Sequence, residues 1–348
     1  MDRPQTYPDI PQNNGMSIDK FTVQHLRSAS DQRTRKTPMD KEIEALLQKV
    51  KEANRQPFWQ GTPQAARSGP MLMALLFGDA PAVARVEDFT IPSSGGFALP
   101  VRLYVPSASP KGLIVYFHGG GWVIGTVAGY HPMTATLANR TGCAVLSVDY
   151  RLAPEHPYPV PVEDALAAIR WASAQGAQAI GAEPRALVAM GDSAGGNLAT
   201  VAARLHNQGQ PRRRVDLQVL AYPVTDHDFD TASYIEFAEG NLLTRNDMKW
   251  FWEHYLPDVS RRSHPDASPL RAHDLSASPP ALVLTAGRDP LRDEGEAYGE
   301  KLRQAGIEAK VVRCEGLLHG FLAMINYAPS AGRAFDRIVA AIGQAAEG

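Results

Sequence analysis

Short apolar segments alternate with helical segments along most of this chain, and this alternation constrains the fold more than any other feature. Parallel strands need long crossover connections, so the pattern predicts an α/β fold with a mostly parallel central sheet of about eight strands and helices on both faces. The predicted strands are 84–91, 100–105, 113–117, 144–148, 186–190, 217–221, 281–285 and 310–313, and the helices among the later strands are 160–175, 194–208, 291–305 and 331–345. The connection Ser93–Gly96 joins the first two strands as a hairpin.

The regions outside this alternation suggest three parts. Residues 1–38 are rich in Pro, Asn, Gln, Ser and charge, which is typical of an extended or partly disordered arm. Residues 39–80 hold apolar side chains at helical spacing and predict helices at 39–53 and 63–77. The main domain is 81–348, with an insertion at about 226–279 that holds one aromatic helix, 246–256. An insertion of that length is usually a lid or a binding element.

Charge and hydrophobicity exclude several classes of protein. The 35 basic and 37 acidic side chains give a formal net charge of −2, with no basic run that could bind nucleic acid. The densest apolar run, Met71–Phe77, is far shorter than the roughly 20 residues of a membrane helix. The N-terminus leads into no apolar signal segment, so a cytoplasmic protein is expected. Cys143 and Cys314 are far apart, which predicts neither a disulfide nor a metal site.

The segment Gly191–Gly195 reads Gly-Asp-Ser-Ala-Gly and lies between a predicted strand and a predicted helix. A tight turn at such a junction lifts the serine above the sheet, and the flanking glycines leave room for the strained backbone. The pattern alone is common by chance, but its position between strand and helix favours Ser193 as a nucleophile.

A second glycine-rich segment, His118–Trp122, follows the predicted strand 113–117. Backbone N–H groups in a His-Gly-Gly-Gly loop can stabilise the oxyanion of an acyl-transfer intermediate, and we expect Gly120, Gly121 and Ala194 to donate them. A phosphate-binding loop would end in Gly-Lys-Ser/Thr, whereas Trp122 stands here. His118 is expected to shape the loop by hydrogen bonding and not to act as a base.

A serine nucleophile also needs a base and an acid, which follow it in the order acid, then histidine. His319 is the histidine that comes after the last predicted strand, in the glycine-flanked loop 315–321 at the carboxyl end of the sheet, where α/β proteins place their sites. Asp289 directly follows the predicted strand 281–285, whereas Asp293 lies four residues on, in the next helix. We favour Asp289 as the acid and interpret Asp293 as a helix or salt-bridge residue.

Five segments stand in the order found in one known family: His118–Trp122, Asp149–Pro157, Gly191–Asn197, Asp289–Asp293 and His319–Phe321. On these motifs the chain resembles the hormone-sensitive-lipase family of carboxylesterases, over about residues 80–345. The resemblance implies the α/β-hydrolase fold, Ser193, Asp289 and His319 as catalytic triad, and the oxyanion hole named above. It also implies a helical cap built from the N-terminal helices and the insertion.

The expected activity is hydrolysis of small esters by water through an acyl-enzyme, without metal or organic cofactor. The resemblance favours short to medium acyl chains, and candidate pocket residues are apolar side chains near the motifs and in the predicted cap: Met71, Leu75, Trp122, Trp250, Phe321 and Leu322. A triad does not distinguish esters from carbamates, amides or lactones. A non-catalytic receptor of the same fold is disfavoured because all three triad residues are present. An exposed edge strand at Lys310–Arg313 would offer a route to a homodimer.

Overall fold

The computed structural model describes residues 38–54, 56–68 and 76–347. The predicted N-terminal arm therefore lies almost wholly outside the described residues, as does the middle of the predicted helix 63–77, including Met71 and Leu75. In the described part, the first helix, α1 (Lys41–Glu52), buries Ile43 and Leu46, as its apolar spacing predicts. The second, α2 (Pro63–Ser68), covers the start of the other predicted helix.

The expected mostly parallel sheet of eight strands is confirmed. Its strands are β1 (Arg85–Pro92), β2 (Ala98–Val105), β3 (Leu113–Phe117), β4 (Ala144–Val148), β5 (Leu187–Asp192), β6 (Leu217–Ala221), β7 (Ala281–Arg288) and β8 (Ala309–Leu318). They lie in the order β1-β2-β4-β3-β5-β6-β7-β8. The β1–β2 and β2–β4 pairs are antiparallel and all other pairs are parallel. The carboxyl ends of β3, β5, β6, β7 and β8 therefore meet at one edge of the sheet.

Helices cover both faces of this sheet, and the core divides into two clusters, one on each face. The helices of the main domain are α3 (His131–Thr141), α4 (Val160–Ile180), α5 (Ala194–Gln208), α6 (Ala232–Glu236), α7 (Arg245–Tyr255), α8 (Arg292–Gln304) and α9 (Pro329–Glu347). Helix α3 was not predicted from the sequence. Its buried face consists largely of threonine and alanine, with Met133 and Leu137 as its large apolar members, so the hydrophobic periodicity is weak.

The insertion contains two α-helices, whereas the sequence predicted one. The predicted aromatic helix is α7, which begins with a capping box between Thr244 and Asp247. The additional helix, α6, has only five residues, too few for periodicity to reveal, and begins where the Thr231 side chain accepts a hydrogen bond from the N–H of Tyr234.

The last strand, β8, is longer than predicted. Residues 315–318, which we expected in a loop, continue the strand, and Leu318 pairs with Arg288 beyond a register shift in β7. Gly287 makes this approach feasible, because a Cβ atom there would lie 2.2 Å from the carbonyl oxygen of Glu315. His319 therefore directly follows the strand, which fixes its backbone beside β7.

In the part of the chain that the structure describes, no helix is both long enough and apolar enough to cross a membrane.

Candidate active site

Ser193 occupies the turn between β5 and α5 in a strained backbone conformation, with φ +55° and ψ −121°. Glycines on both sides make the turn feasible. A Cβ atom on Gly191 would lie 2.2 Å from the carbonyl oxygen of Gly195, and one on Gly195 would lie 2.0 Å from the carbonyl oxygen of Phe117. The turn is held by a hydrogen bond from the N–H of Ser193 to the carbonyl of Ala221, at 2.9 Å. The strain therefore presents the serine hydroxyl at the carboxyl end of the sheet.

Three side chains from three strand ends form one line of hydrogen bonds. The hydroxyl oxygen of Ser193 lies 2.9 Å from Nε2 of His319. Nδ1 of His319 lies 2.8 Å from Oδ2 of Asp289. Asp289 is fully buried, and its other oxygen accepts a hydrogen bond from the N–H of Leu291 at 3.0 Å. This geometry can pass a proton from serine to histidine while the carboxylate orients the ring.

Asp293, the alternative acid, points away from the histidine. It accepts a hydrogen bond from the N–H of Ser233 at 2.8 Å and pairs with Arg292 at 2.8 Å. It thus joins α8 to α6 of the insertion, as a helix and salt-bridge residue.

The glycine loop after β3 turns its backbone past the serine in left-handed conformations, with φ +116° at Gly120 and +59° at Gly121. A Cβ atom on Gly120 would lie 2.2 Å from the carbonyl oxygen of Ile124, and one on Gly121 would lie 2.1 Å from the ring of Phe251. Within the described residues, the N–H groups of Gly120, Gly121 and Ala194 donate to no other group of the protein. They are therefore available to a ligand beside Ser193.

His118 lies beneath this loop. Its Nδ1–H donates to the carbonyl of Gly119 at 2.8 Å, and its carbonyl accepts from the hydroxyl of Tyr150 at 2.8 Å. The two rings stack with centroids 4.4 Å apart. Burial lowers the pKa of His118, so its ring is neutral at neutral pH and contributes to loop shape through hydrogen bonding.

Ser193, His319, Gly120 and Gly121 line one cavity of about 210 Å³. Its other walls come from two regions far apart in sequence. The segment before the sheet provides Val50, Gln56, Pro57, Phe58 and Ala66, and the insertion provides Asn241, Leu242, Leu243, Thr244, Asp247, Met248 and Phe251. Ile124, Tyr130, Asp192 and Gly320 complete the lining.

Four of the expected pocket residues are not among those that line this cavity. Trp122 stacks on Tyr255 with ring centroids 4.0 Å apart, because its backbone, at φ +61°, turns the ring into the core. Trp250 is 8 % exposed and packs against Phe58 and His254, with ring centroids 6.4 and 4.5 Å apart. Phe321 and Leu322 are buried in the core cluster beneath His319. The other two, Met71 and Leu75, lie outside the described residues.

The sequence did not predict the residues on the inward face of α7, nor the buried acid beside the nucleophile, as part of the cavity. Phe251 and Met248 lie on the same predicted helix as Trp250, but the face that turns inward was not evident from a helix so rich in aromatic residues. Asp192, inside the Gly-Asp-Ser motif, is a buried carboxyl group whose signal was present, since an acidic residue at the end of an apolar strand needs buried partners.

An arginine joins the segment before the sheet to the rim of the site. Arg67 of α2 donates to the carbonyls of Val123 and Ala153, at 2.7 and 2.6 Å, and forms a bidentate pair with Glu155. The guanidinium lowers the pKa of Glu155 to about 2. Since Val123 closely follows the glycine loop, Arg67 anchors the segment before the sheet beside that loop.

Comparison with known proteins agrees with this fold. A family model described as the α/β-hydrolase fold matches residues 114–323, which is more than half of the chain. The chain therefore belongs to the α/β-hydrolase family, as the resemblance noted from the motifs predicted.

Several relatives are carboxylic ester hydrolases. Carboxylic ester hydrolase LipN of Mycobacterium tuberculosis is 40% identical over 74% of this chain and 69% of its own length. The ethyl acetate hydrolase of Pseudomonas putida is 36% identical over 81% of this chain and 89% of its own length. Among solved structures, a hyperthermophilic esterase of Pyrobaculum calidifontis matches with a TM-score of 0.82 and 36% identity, over 88% of this chain and 99% of that one. The expected enzyme class, ester hydrolase, is thus confirmed at the level of the family.

Proposed function

We propose that this protein is a serine carboxylesterase in which Ser193, His319 and Asp289 form the catalytic triad. The observation that carries the proposal is the unbroken line of hydrogen bonds from the serine hydroxyl through the imidazole to a buried carboxylate, at 2.9 and 2.8 Å. The relatives that hydrolyse carboxylic esters support the same reaction class.

In the first half of the reaction, the Ser193 hydroxyl oxygen attacks the ester carbonyl carbon while Nε2 of His319 takes the hydroxyl proton. The carbonyl oxygen becomes an oxyanion, which the N–H groups of Gly120, Gly121 and Ala194 would bind. When the tetrahedral intermediate collapses, the bond to the alcohol oxygen breaks and the imidazolium returns its proton to that oxygen. The alcohol leaves and the acyl group remains on Ser193.

In the second half, water replaces the alcohol. His319 takes a proton from the water as its oxygen attacks the acyl carbon, and the same three N–H groups bind the second oxyanion. Collapse breaks the bond to Ser193, whose oxygen regains the proton from His319, and the carboxylic acid leaves. Asp289 remains a carboxylate throughout and stabilises the imidazolium in both halves.

The cavity supports short to medium acyl chains as substrates. It has a volume of about 210 Å³. Two aromatic rings form part of its wall, Phe58 from the segment before the sheet and Phe251 from the insertion. These rings pack on each other with centroids 5.5 Å apart, so they limit the length of an acyl chain on that side. Apolar walls favour an uncharged acyl group.

We further propose that residues 39–80 and the insertion at about 226–279 together form a cap on the catalytic domain, 81–348. Both regions line the cavity that holds Ser193. They are also joined directly, because the N–H of Trp59 donates to Oδ1 of Asp247 at 3.2 Å.

A homodimer through β8 is also proposed. This strand is the last in the sheet order and pairs with β7 on one side. Pairing of two such strands across a two-fold axis would extend the sheet from one subunit into the other. A light-scattering mass equal to that of the monomer would contradict it.

The proposed function is tested by hydrolysis of p-nitrophenyl esters of increasing acyl length. Wild-type protein should be active, and so should the control Ser173→Ala. Ser173 lies in α4, away from the cavity lining, and its hydroxyl donates to the carbonyl of Arg213 at 2.8 Å. Ser193→Ala should be inactive, and a serine-directed phosphonate should label the wild type but not this variant. Circular dichroism confirms that all three are folded.

Two results would contradict the proposal. If folded wild-type protein is labelled but hydrolyses no p-nitrophenyl ester, we expect its substrate to contain another acyl bond, such as a carbamate, amide or lactone. If it is neither labelled nor active, a non-catalytic receptor becomes the favoured hypothesis.

A further inference from the structure

Asp192, the residue before the nucleophile, has a buried carboxylate to which four groups donate. Oδ1 accepts hydrogen bonds from the hydroxyl of Tyr116 at 2.6 Å and from the N–H of Gly119 at 2.9 Å. Oδ2 accepts from the hydroxyl of Tyr130 at 3.1 Å and, more weakly, from that of Tyr222 at 3.5 Å. The residue is only 4 % exposed, so water contributes little to satisfying this charge.

These contacts reach three of the segments that carry parts of the site. Gly119 belongs to the glycine loop, directly before Gly120. Tyr222 follows β6 and packs against the ring of His319 with centroids 4.7 Å apart, and its hydroxyl accepts from the N–H of Leu322 at 3.3 Å. Asp192 itself adjoins Ser193. One carboxylate thus contacts the nucleophile turn, the oxyanion loop and, through Tyr222, the histidine loop.

The chemistry of the partners fits an ionised carboxylate. Burial raises the pKa of Asp192, while the hydrogen bonds from Tyr116 and Tyr130 oppose that rise. Burial also keeps the pKa of Tyr116, Tyr130 and Tyr222 well above its usual range, so all three remain donors at neutral pH. Donors surround both oxygens, and hydrogen bonds to an ionised acceptor are stronger than neutral ones.

The Asp192 carboxylate also packs tightly against the glycine loop. A Cβ atom on Gly119 would lie 2.4 Å from Oδ2 of Asp192. The carboxylate therefore lies directly against the Gly119 backbone and fixes both its N–H direction and its distance from the sheet. Because Gly120 and Gly121 follow without a break, a change at this contact moves their N–H groups.

We propose that Asp192 is a positioning residue that sets the distance between the oxyanion-binding N–H groups and the Ser193 hydroxyl. This role rests on the proposed function. It predicts that Asp192 affects the stabilisation of the transition state more than the binding of the substrate. Although Asp192 borders the cavity, its carboxylate is engaged by four donors of the protein and holds the loop.

The test compares the wild type with Asp192→Asn, which keeps the shape but removes the charge and one acceptor. We expect kcat for p-nitrophenyl acetate to fall about 10- to 100-fold, less than for loss of an oxyanion donor, with KM changed less than about threefold. The inhibition constant of an alkyl trifluoromethyl ketone, whose adduct places an oxyanion at the same N–H groups, should rise in proportion to the fall in kcat/KM.

The control is Asp164→Asn, which alters another fully buried carboxylate. Asp164 pairs with Arg151 at 2.7 Å and lies in α4, outside the cavity lining. This control should lose stability but keep kcat and inhibitor affinity. If Asp192→Asn fails to fold, Tyr116→Phe removes one hydrogen bond from the carboxylate and should lower kcat at least about threefold, with the same proportional loss of inhibitor affinity.

Each other result overturns the role. If folded Asp192→Asn keeps the wild-type kcat and inhibitor affinity, Asp192 only supports the fold. If Asp192→Asn does not fold, the same conclusion follows from a folded Tyr116→Phe with unchanged kcat and inhibitor affinity. A rise in KM alone would place Asp192 in substrate binding. Ser193→Ala, measured alongside, separates the two proposals. If it stays active, the proposed function fails; if it is inactive while Asp192→Asn matches the wild type, only the positioning role fails.

Discussion

Replacing Gly121 by alanine should reduce catalysis strongly, and the structure gives the reason. The Cβ atom would lie 2.1, 2.3 and 2.6 Å from three ring carbons of Phe251, far inside van der Waals contact. The ring itself is enclosed by Phe58 and Trp250, with centroids 5.5 and 5.1 Å away. Because Phe58 and Trp250 restrict the movement of the ring, we expect the loop to shift and carry the Gly121 N–H away from the serine.

The size of the effect follows from two contributions. Loss of one oxyanion donor costs about 2.7–4 kcal/mol of transition-state stabilisation, which corresponds to roughly a 10²- to 10³-fold fall in kcat. The left-handed backbone at φ +59° adds about 1–2 kcal/mol for any residue with a Cβ atom, and this part lowers the stability of the fold. Gly121→Ala should therefore lose both activity and stability.

The assay measures kcat for p-nitrophenyl acetate and the free energy of unfolding in urea. Gly181→Ala is the matched control, because Gly181 has φ +74° and lies at the end of α4, where a Cβ atom would meet no other atom within 4 Å. It should lose about 1–2 kcal/mol of stability and no activity. The double variant Gly121→Ala/Phe251→Ala removes the clash and should recover part of the lost kcat.

Wild-type kcat in Gly121→Ala would refute this explanation, since the loop would then tolerate a Cβ atom without moving its donor. A double variant that recovers no activity would refute it as well. In that case the loss of kcat would arise from the changed backbone at position 121 and not from the contact with Phe251.

Three further changes test other parts of the structure. Asp289→Asn should lower kcat by about 10⁴ while the chain stays folded, because the amide favours the wrong histidine tautomer; a loss below about tenfold would point to another acid. Glu155→Gln should cost at most about 1 kcal/mol at pH 7, since the Arg67 pair is half-exposed. The pKa of Glu155 is lowered to about 2, so this difference should be complete above about pH 4.5 and vanish as the pH falls towards 2, which urea unfolding at several pH values would show. Thr244→Ala should cost about 1 kcal/mol through the capping box of α7, and should raise KM because Thr244 lines the cavity and its partner Asp247 joins this helix to Trp59; an unchanged KM would contradict this role in the cavity wall.

The elements that were predicted well from the sequence are those with a local signal. Strong apolar runs identified the buried strands β3 to β7, because buried parallel strands need apolar side chains on both faces. The outer strands β1, β2 and β8 were predicted from short β-rich runs. Helix α5 was predicted with its observed bounds, since it begins directly after the Ser193 turn and ends before Gly209. Elements without such a signal were missed or shortened: α3, whose buried face is largely threonine and alanine; α6, which is too short; and the end of β8, whose pairing depends on Gly287 in another strand.

The residues that could carry the chemistry were identifiable before any fold was known. Ser193, His319 and Asp289 each follow a predicted strand, and the carboxyl ends of parallel strands meet at one edge, so their proximity followed from topology. The walls of the cavity, in contrast, depend on how distant segments pack. Phe251 faces the site while Trp122 and Trp250 do not, because backbone torsions and packing between those segments set where each ring points. The partners of Asp192 depend on packing in the same way, since four donors from three segments meet at its carboxylate only when the chain is folded.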